Sequence, residues 1–200
     1  MKSKNDILDG VEKRINQKTT LFFDLDGTLV NTDLANFKAY NEAFKIVTNS
    51  KTDLEFNPLE RLNRENLKKS FPDLTKSQFE RIVSEKERLF EKYLTDTTPN
   101  KRVLELLMSF HSTNTTVLVT NCRENRAKSI LNFYKLTDYF KHLFFRQFNA
   151  NGEHFNKYQS ALNILAITPE SVVVIENERR EIEYAISANI IEGNIFKFGL

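Results

Sequence analysis

An apolar run that ends in two acids and a glycine governs what this chain can fold into. Residues Leu21-Phe22-Phe23-Asp24-Leu25-Asp26-Gly27-Thr28-Leu29-Val30 read as a buried strand with Asp24 and Asp26 at its C-terminal end. Spaced two apart, the acids would point the same way if the strand continued. Gly27 lets the backbone turn sharply just past them. In an open α/β sheet this edge is where ligands bind. A pair of acids there can bind a metal and carry out covalent chemistry.

The rest of the chain supplies such a sheet. After Pro99 helix and strand alternate. Lys101–Ser112 reads as a helix, Thr115–Thr120 as a strand, Arg123–Tyr134 as a helix and Leu143–Phe148 as a strand. Lys157–Leu165 is predicted helical, Ser171–Glu176 a strand, Glu178–Ala188 a helix, and Ile190–Phe198 short and strand-like. With Thr20–Leu25 as the first strand, this rhythm predicts an α/β fold: a Rossmann-like parallel sheet with helices on both faces. Between Asn31 and Asp96 the pattern is helical throughout. Leu34, Phe37, Tyr40, Ala43 and Phe44 recur at three and four. A second helix is expected from near Pro58 to a break at Pro72, and a third from Thr75, with Gln78 three later as in a capping box, to about Leu94. Residues 1–30 and 97–200 are therefore read as the core, and 31–96 as a small all-helical insert. Ahead of the first strand, Ile7, Leu8, Val11 and Ile15 fall at helical spacing and predict a short amphipathic helix.

At 200 residues the chain suffices for one core domain with a small insertion. A net charge of +2 gives no basis for a nucleic-acid or membrane partner. No apolar run approaches membrane-spanning length, and residues 1–20 lack the apolar core of a secretory signal. Cys122 is the only cysteine, so no internal disulfide can form; a cytoplasmic setting is expected.

The Asp24–Val30 segment resembles the nucleophile motif of the haloacid dehalogenase superfamily of phosphohydrolases. The resemblance implies that Asp24 accepts a phosphoryl group, that Asp26 is the general acid/base, that Thr28 and the Asp26 backbone help shape the loop, and that Gly27 and Thr28 contribute to substrate binding. Thr120, ending Val-Leu-Val-Thr-Asn, is similar to the family's phosphate-binding Thr or Ser, with Asn121 adding a donor. Lys157, opening a helix, matches the lysine that neutralises the nucleophile and the transferring phosphoryl, although family members often have Lys-Pro where this chain has Lys-Tyr. Lys141 is the rival for that role. The helical insert looks like the cap of the phosphoglycolate phosphatase and β-phosphoglucomutase subgroup.

The chain departs from the family at the fourth motif, Val174-Ile175-Glu176-Asn177-Glu178-Arg179-Arg180-Glu181. The usual Asp aligns with Asn177 and the second acid with Glu181. Mg²⁺ prefers anionic oxygens; an Asn carbonyl can coordinate but adds no charge. Asp24, Asp26, Asn177, Glu176 and Glu181 are the expected metal ligands, with Glu178 nearby. Asn189 stands where the family has Gly after the following helix, and Asn tolerates the left-handed cap. In the insert Arg61, Arg64 and Lys68 fall on one predicted stripe with Lys69 adjacent; such a stripe is most often a solvated face, and it can also grip an anion. The expected function is a Mg²⁺-dependent phosphatase acting on a small phosphorylated metabolite. A phosphotransferase or sugar-phosphate mutase on the same site, or a weakly active or non-catalytic binding protein, are the alternatives.

Overall fold

The computed structural model describes residues 10–57, 61–147 and 155–198. The chain divides into two compact units, one of residues 1–30 with 99–200 and one of residues 31–98.

The larger unit is built on five parallel strands: β1 (Thr20–Phe23), β4 (Thr115–Val119), β5 (His142–Phe144), β6 (Val172–Glu176) and β7 (Ile195–Lys197), in the order β5-β4-β1-β6-β7. The chain winds from β1 outward through β4 to β5, then crosses back to β6 and β7. That reversal makes the C-terminal end of β1 a topological switch point, the place where such sheets bind ligands. Register aligns the motif-bearing strand ends. Phe23 pairs with Leu118 on one side and Ile175 on the other, so Asp24, Thr120 and Glu176 emerge at one edge.

The central strands are apolar on both faces because both faces are covered. On one face Phe22, Val117, Val119, Val172 and Val174 pack with Tyr158, Ala161 and Leu162 of helix α6 (Lys157–Leu165) and with Ala185 of α7 (Arg179–Ser187). Phe22 stacks on Tyr158 at 6.5 Å between centroids; its full burial contributes about 1.5–3 kcal/mol. The opposite face carries Leu21, Phe23, Leu118, Val173 and Ile175, all fully buried, with Phe23 edge-on to Phe140. Helix α4 (Lys101–Phe110) buries Val103, Leu106 and Leu107, and α5 (Glu124–Phe133) buries Ala127, Ile130 and Leu131.

The smaller unit is helical: α1 (Asp33–Thr48), α2 (Arg64–Ser70) and α3 (Lys76–Leu89), followed by a 3₁₀ segment at Phe90–Asp96. Ala39, Tyr40, Ala43, Phe44 and Val47 of α1 meet Leu67, Ile82 and Leu89 in its core. The capping box forms as expected, with Gln78 N donating to Thr75 Oγ1 and Thr75 N to Gln78 Oε1.

Several boundaries differ from the sequence reading. Strand β1 stops at Phe23 because the loop of Asp24–Val30 begins there; Thr28 N and Val30 N both turn back to Leu25 O. The second insert helix starts only at Arg64, where the Asn63 side chain caps it by accepting from Asn66 N; residues 58–60 lie outside the described residues. Arg61 therefore precedes the helix and does not share a stripe with Arg64 and Lys68; it pairs with Asp33, Nε to Oδ1 at 3.3 Å. The third helix tightens to 3₁₀ after Leu89. A two-residue ribbon of β2 (Val30–Asn31) and β3 (Thr98–Pro99), too short for any pattern to announce, forms where the chain leaves and rejoins the sheet. Strand β5 ends at Phe144, and residue 148 lies outside the described residues. Strand β7 is confined to Ile195–Lys197 by a 3₁₀ turn at Glu192–Asn194. Of the N-terminal helix, the described part is Gly10–Glu12, with Val11 fully buried; Ile7 and Leu8 lie outside the described residues. Asn189 does adopt the left-handed cap, at φ 62°.

Candidate active site

The loop after β1 is set by one glycine. Gly27 has φ 89°, a conformation that L side chains rarely adopt, and its N–H donates to Val30 O at 2.8 Å. A Cβ at this position would lie 2.4 Å from Asn177 Nδ2. The two loops therefore touch, and Thr28 Oγ1 closes the contact by donating to Asn177 Oδ1 at 3.0 Å.

Asp24 stands first beyond β1, its N–H donating to Ile175 O on β6, and it is buried. Lys157 Nζ donates to Asp24 Oδ1 at 2.7 Å. Among the described residues Asp24 Oδ2 makes no hydrogen bond, so one carboxylate oxygen is anchored and the other is available for chemistry. Burial, with the Glu176 charge beside it, pushes the Asp24 carboxyl up to about 8, against the pull of Lys157.

Lys157 is held at the first position of α6, whose N-cap Asn156 accepts from Tyr158 N and Gln159 N. Besides Asp24 it donates to Glu176 Oε2 at 2.8 Å and lies 3.5 Å from Glu181 Oε2. Burial opposes its charge, yet Asp24, Tyr158, Glu176 and Glu181 together raise the ammonium well above the ordinary lysine value. Lys141, the rival, is exposed and precedes β5, at the opposite end of a parallel sheet from Asp24.

Glu176 takes a different place from the one expected. It is fully buried, and its Oε2 accepts from Lys157 and from Tyr158 Oη at 2.6 Å. Its Oε1 accepts from Asn177 N at 2.8 Å and Glu178 N at 3.1 Å. Four donors fill the lone-pair directions of a carboxylate, leaving none for a metal. Despite its burial these bonds hold Glu176 below the usual carboxylate range. It braces the lysine and the turn that presents Asn177. The side chain of Glu178 is exposed. Glu181, in the first turn of α7, is buried, and its Oε2 meets Lys157 as a loose ion pair with no hydrogen bond among the described residues; burial raises its carboxyl.

Asp26 is held from the other side. Its Oδ2 accepts from Arg126 Nη2 at 2.8 Å. Arg126 Nε in turn donates to Cys122 Sγ at 2.9 Å. Thr120 stands first beyond β4 and is buried, with Oγ1 accepting from Cys122 N, and Asn121 follows half-buried in the turn. Register, rather than a direct bond, brings Thr120 to the edge shared with Asp24.

Sequence reasoning missed two members of this cluster. Tyr158 was visible only as a departure from Lys-Pro, and it proves to supply a hydroxyl to Glu176. Arg126 carried one signal: it is a cation in the first turn of the helix that follows the Thr120 strand.

Four carboxylates (Asp24, Asp26, Glu176 and Glu181) thus face two cations (Lys157 and Arg126). The surplus of carboxylates over cations and the Asp24 and Glu181 carboxyls raised by burial fit a cation drawn to this edge. Among the described residues no group of three or more acid, histidine or cysteine side chains is arranged to enclose one. A cation here would rest on few protein ligands.

A doubly covered parallel sheet that gathers carboxylates and a lysine at its switch point defines an α/β enzyme with its ligand edge at β1. The chain belongs to the haloacid dehalogenase-like hydrolase family, whose model matches residues 21–192. Among solved structures it resembles a haloacid dehalogenase-like family protein, SP0104, from Streptococcus pneumoniae (20% identity, TM-score 0.70, covering 88% of this chain and 83% of that one). It resembles a Thermotoga maritima protein assigned as a β-phosphoglucomutase (25% identity, TM-score 0.63, 88% and 83%). CbbY from Rhodobacter sphaeroides, in complex with phosphate, is a third (18% identity, TM-score 0.68, 86% and 83%). No curated protein sequence matches the chain.

Proposed function

We propose that the chain is a Mg²⁺-dependent phosphatase that hydrolyses a small phosphate monoester through an aspartyl-phosphate on Asp24. The observation that carries this reading is the division of the Asp24 carboxylate: Oδ1 is anchored by Lys157, and Oδ2 makes no hydrogen bond among the described residues. Such an oxygen is left open to attack, as a carboxylate nucleophile requires.

Asp24 Oδ2 attacks phosphorus as the ester P–O bond breaks, and Asp26 gives its proton to the leaving oxygen. Asp26 then takes a proton from water as that water attacks phosphorus and frees Asp24. Lys157 offsets the charge gathered on the nucleophile and the phosphoryl group. Thr120 and Asn121, at the end of β4, bind the phosphoryl oxygens. Asp24, Asp26 and Asn177 would hold Mg²⁺, with Glu181 acting through a bound water. The ion would supply positive charge where two anions must meet. Mg²⁺ suits a site with few protein carboxylates, because it keeps several waters of its own. Residues 31–96 act as a cap that selects the rest of the substrate.

Likeness to the Thermotoga maritima protein favours a second reading, in which a sugar hydroxyl replaces water as acceptor. Phosphate release from a panel of phosphorylated metabolites with Mg²⁺, by wild type and Asp24→Asn, tests both. Mg²⁺-dependent release by wild type alone supports the phosphatase. Isomerised sugar phosphate without release favours transfer. Equal activity of the two proteins defeats both.

A further inference from the structure

The reading above gives Asp26 two proton transfers in opposite directions but leaves Arg126 without a role. Arg126 is mostly buried, its side chain 13% exposed and that of Asp26 10%. Its guanidinium is a planar fork whose donors are fixed relative to one another. One arm, Nη2, meets Asp26 Oδ2 at 2.8 Å, and Nε meets Cys122 Sγ at 2.9 Å. Cys122 is itself pinned: its N–H donates to Thr120 Oγ1, and its carbonyl accepts from Arg146 N. The arginine is thus braced on the β4 turn while it grips the carboxyl of the β1 loop.

In the β1 loop Asp26 forms an isolated bridge with Val30, and the neighbouring Gly27 is the most permissive residue in the loop. A proton donor must sit within about 3 Å of its acceptor and be correctly oriented, and a misplacement near 1 Å costs on the order of a hundredfold in rate. Holding the Asp26 carboxyl in one orientation is therefore worth as much to the rate as the acid itself.

We propose that Arg126, braced by Cys122, is a positioning residue that orients the Asp26 carboxyl for both proton transfers. It rests on the phosphatase reading for its consequence in turnover, and on the Arg126–Asp26 geometry alone for its structural half. An arginine acting instead as a phosphate ligand would reveal itself in binding.

The experiment is a double-mutant cycle on a series of aryl phosphates of differing leaving-group pKa, using wild type, Arg126→Gln, Arg126→Lys, Asp26→Asn and Asp26→Asn/Arg126→Gln. Arg126→Gln should lower kcat roughly 10- to 100-fold with KM within about threefold. The loss should be larger for poor leaving groups, which need the acid. In the Asp26→Asn background the same change should cost almost nothing, because two residues acting as a unit are not additive. Arg126→Lys, which keeps the charge without the fork, should recover only part of kcat. Additive losses, a raised KM with kcat unchanged, or full recovery with lysine would overturn the proposal.

Side-chain NMR of ¹⁵N-arginine-labelled protein gives the reading without turnover. Arg126 Nη signals should be slowed in rotation in wild type and released in Asp26→Asn. If wild type proves inactive on every ester, the phosphatase reading falls while these signals still judge the pairing. Freely rotating Nη groups in wild type would overturn the proposal whatever the activity, as they would if Arg126→Gln failed to fold.

Discussion

Lys157 Nζ reaches Asp24 Oδ1 at 2.7 Å across 133 positions of sequence, and the same ammonium holds Glu176 Oε2 at 2.8 Å. One cation thereby joins the ends of two neighbouring strands, β1 and β6. Removing one partner of a buried ion pair costs more than the pair is worth, because the remaining charges stay buried without compensation. Lys157→Met should lower unfolding stability by about 3–5 kcal/mol at neutral pH. The deficit should shrink in acid, where Glu176 of the variant, buried and no longer held low by the ammonium, takes up a proton. Denaturant melts of the two proteins at pH 7 and pH 4 check this; an equal deficit at both would contradict it.

Asp24 makes a second prediction about pH. Its carboxyl titrates at about 8 when folded and near 4 when unfolded. Between those values the folded protein binds the extra proton, so stability falls as pH rises through this window. The slope from this group is on the order of 1 kcal/mol per pH unit. Asp24→Asn removes the group and should remove that slope. In chelator-treated protein the variant should exceed wild type in stability at pH 7 and lose its advantage below pH 4. Parallel stability curves for the two proteins would show that Asp24 is not strained by burial.

Asn177 is where this chain leaves its family's pattern, and its surroundings sharpen the expectation. Its Oδ1 already accepts from Thr28, which an aspartate would also do. Asn177→Asp therefore keeps the loop contact and adds a charge to a site already rich in carboxylates. It should lower the Mg²⁺ concentration for half-maximal binding by about tenfold, and Glu181→Gln should raise it. Titration calorimetry reads both without turnover. If neither substitution moves the midpoint, neither residue serves the metal. If Asn177→Asp alone confers both binding and turnover, the wild-type chain is a binding protein rather than a phosphatase.

The parts legible in the sequence were those written in local periodicity. The run from Leu21 to Val30 announced β1 and its acids, and the alternation after Pro99 announced the sheet around it. Thr75 and Gln78 announced their own capping box. What escaped was long-range pairing. Nothing beside Asp26 in sequence names Arg126, one hundred residues away, and nothing in Val-Ile-Glu-Asn says that Glu176 will be consumed by Lys157, Tyr158 and two backbone N–H groups. Glu176 read as a metal ligand because an acid at a strand end is open by default. Only the fold shows its oxygens filled.

Gly27 separates two causes that sequence alone would merge. Gly27→Ala meets both the left-handed φ of 89° and a contact of 2.4 Å with Asn177 Nδ2. It should destabilise by about 2–4 kcal/mol. Adding Asn177→Gly removes the contact but not the dihedral, and should recover all but about 1–2 kcal/mol. Chemical denaturation of the single and double variants measures each part. Full recovery would mean that the dihedral costs nothing here.

The central claim is that Asp24 carries the phosphoryl group. An acyl phosphate is reduced by borohydride, and an aspartyl-phosphate becomes homoserine at the modified position. Wild type should be quenched during steady turnover of an aryl phosphate with Mg²⁺, reduced, digested and mapped by mass spectrometry. Homoserine at position 24, absent without substrate and absent in Asp24→Asn, is the predicted result. Homoserine at another acid, or turnover with position 24 unmodified, would contradict the account.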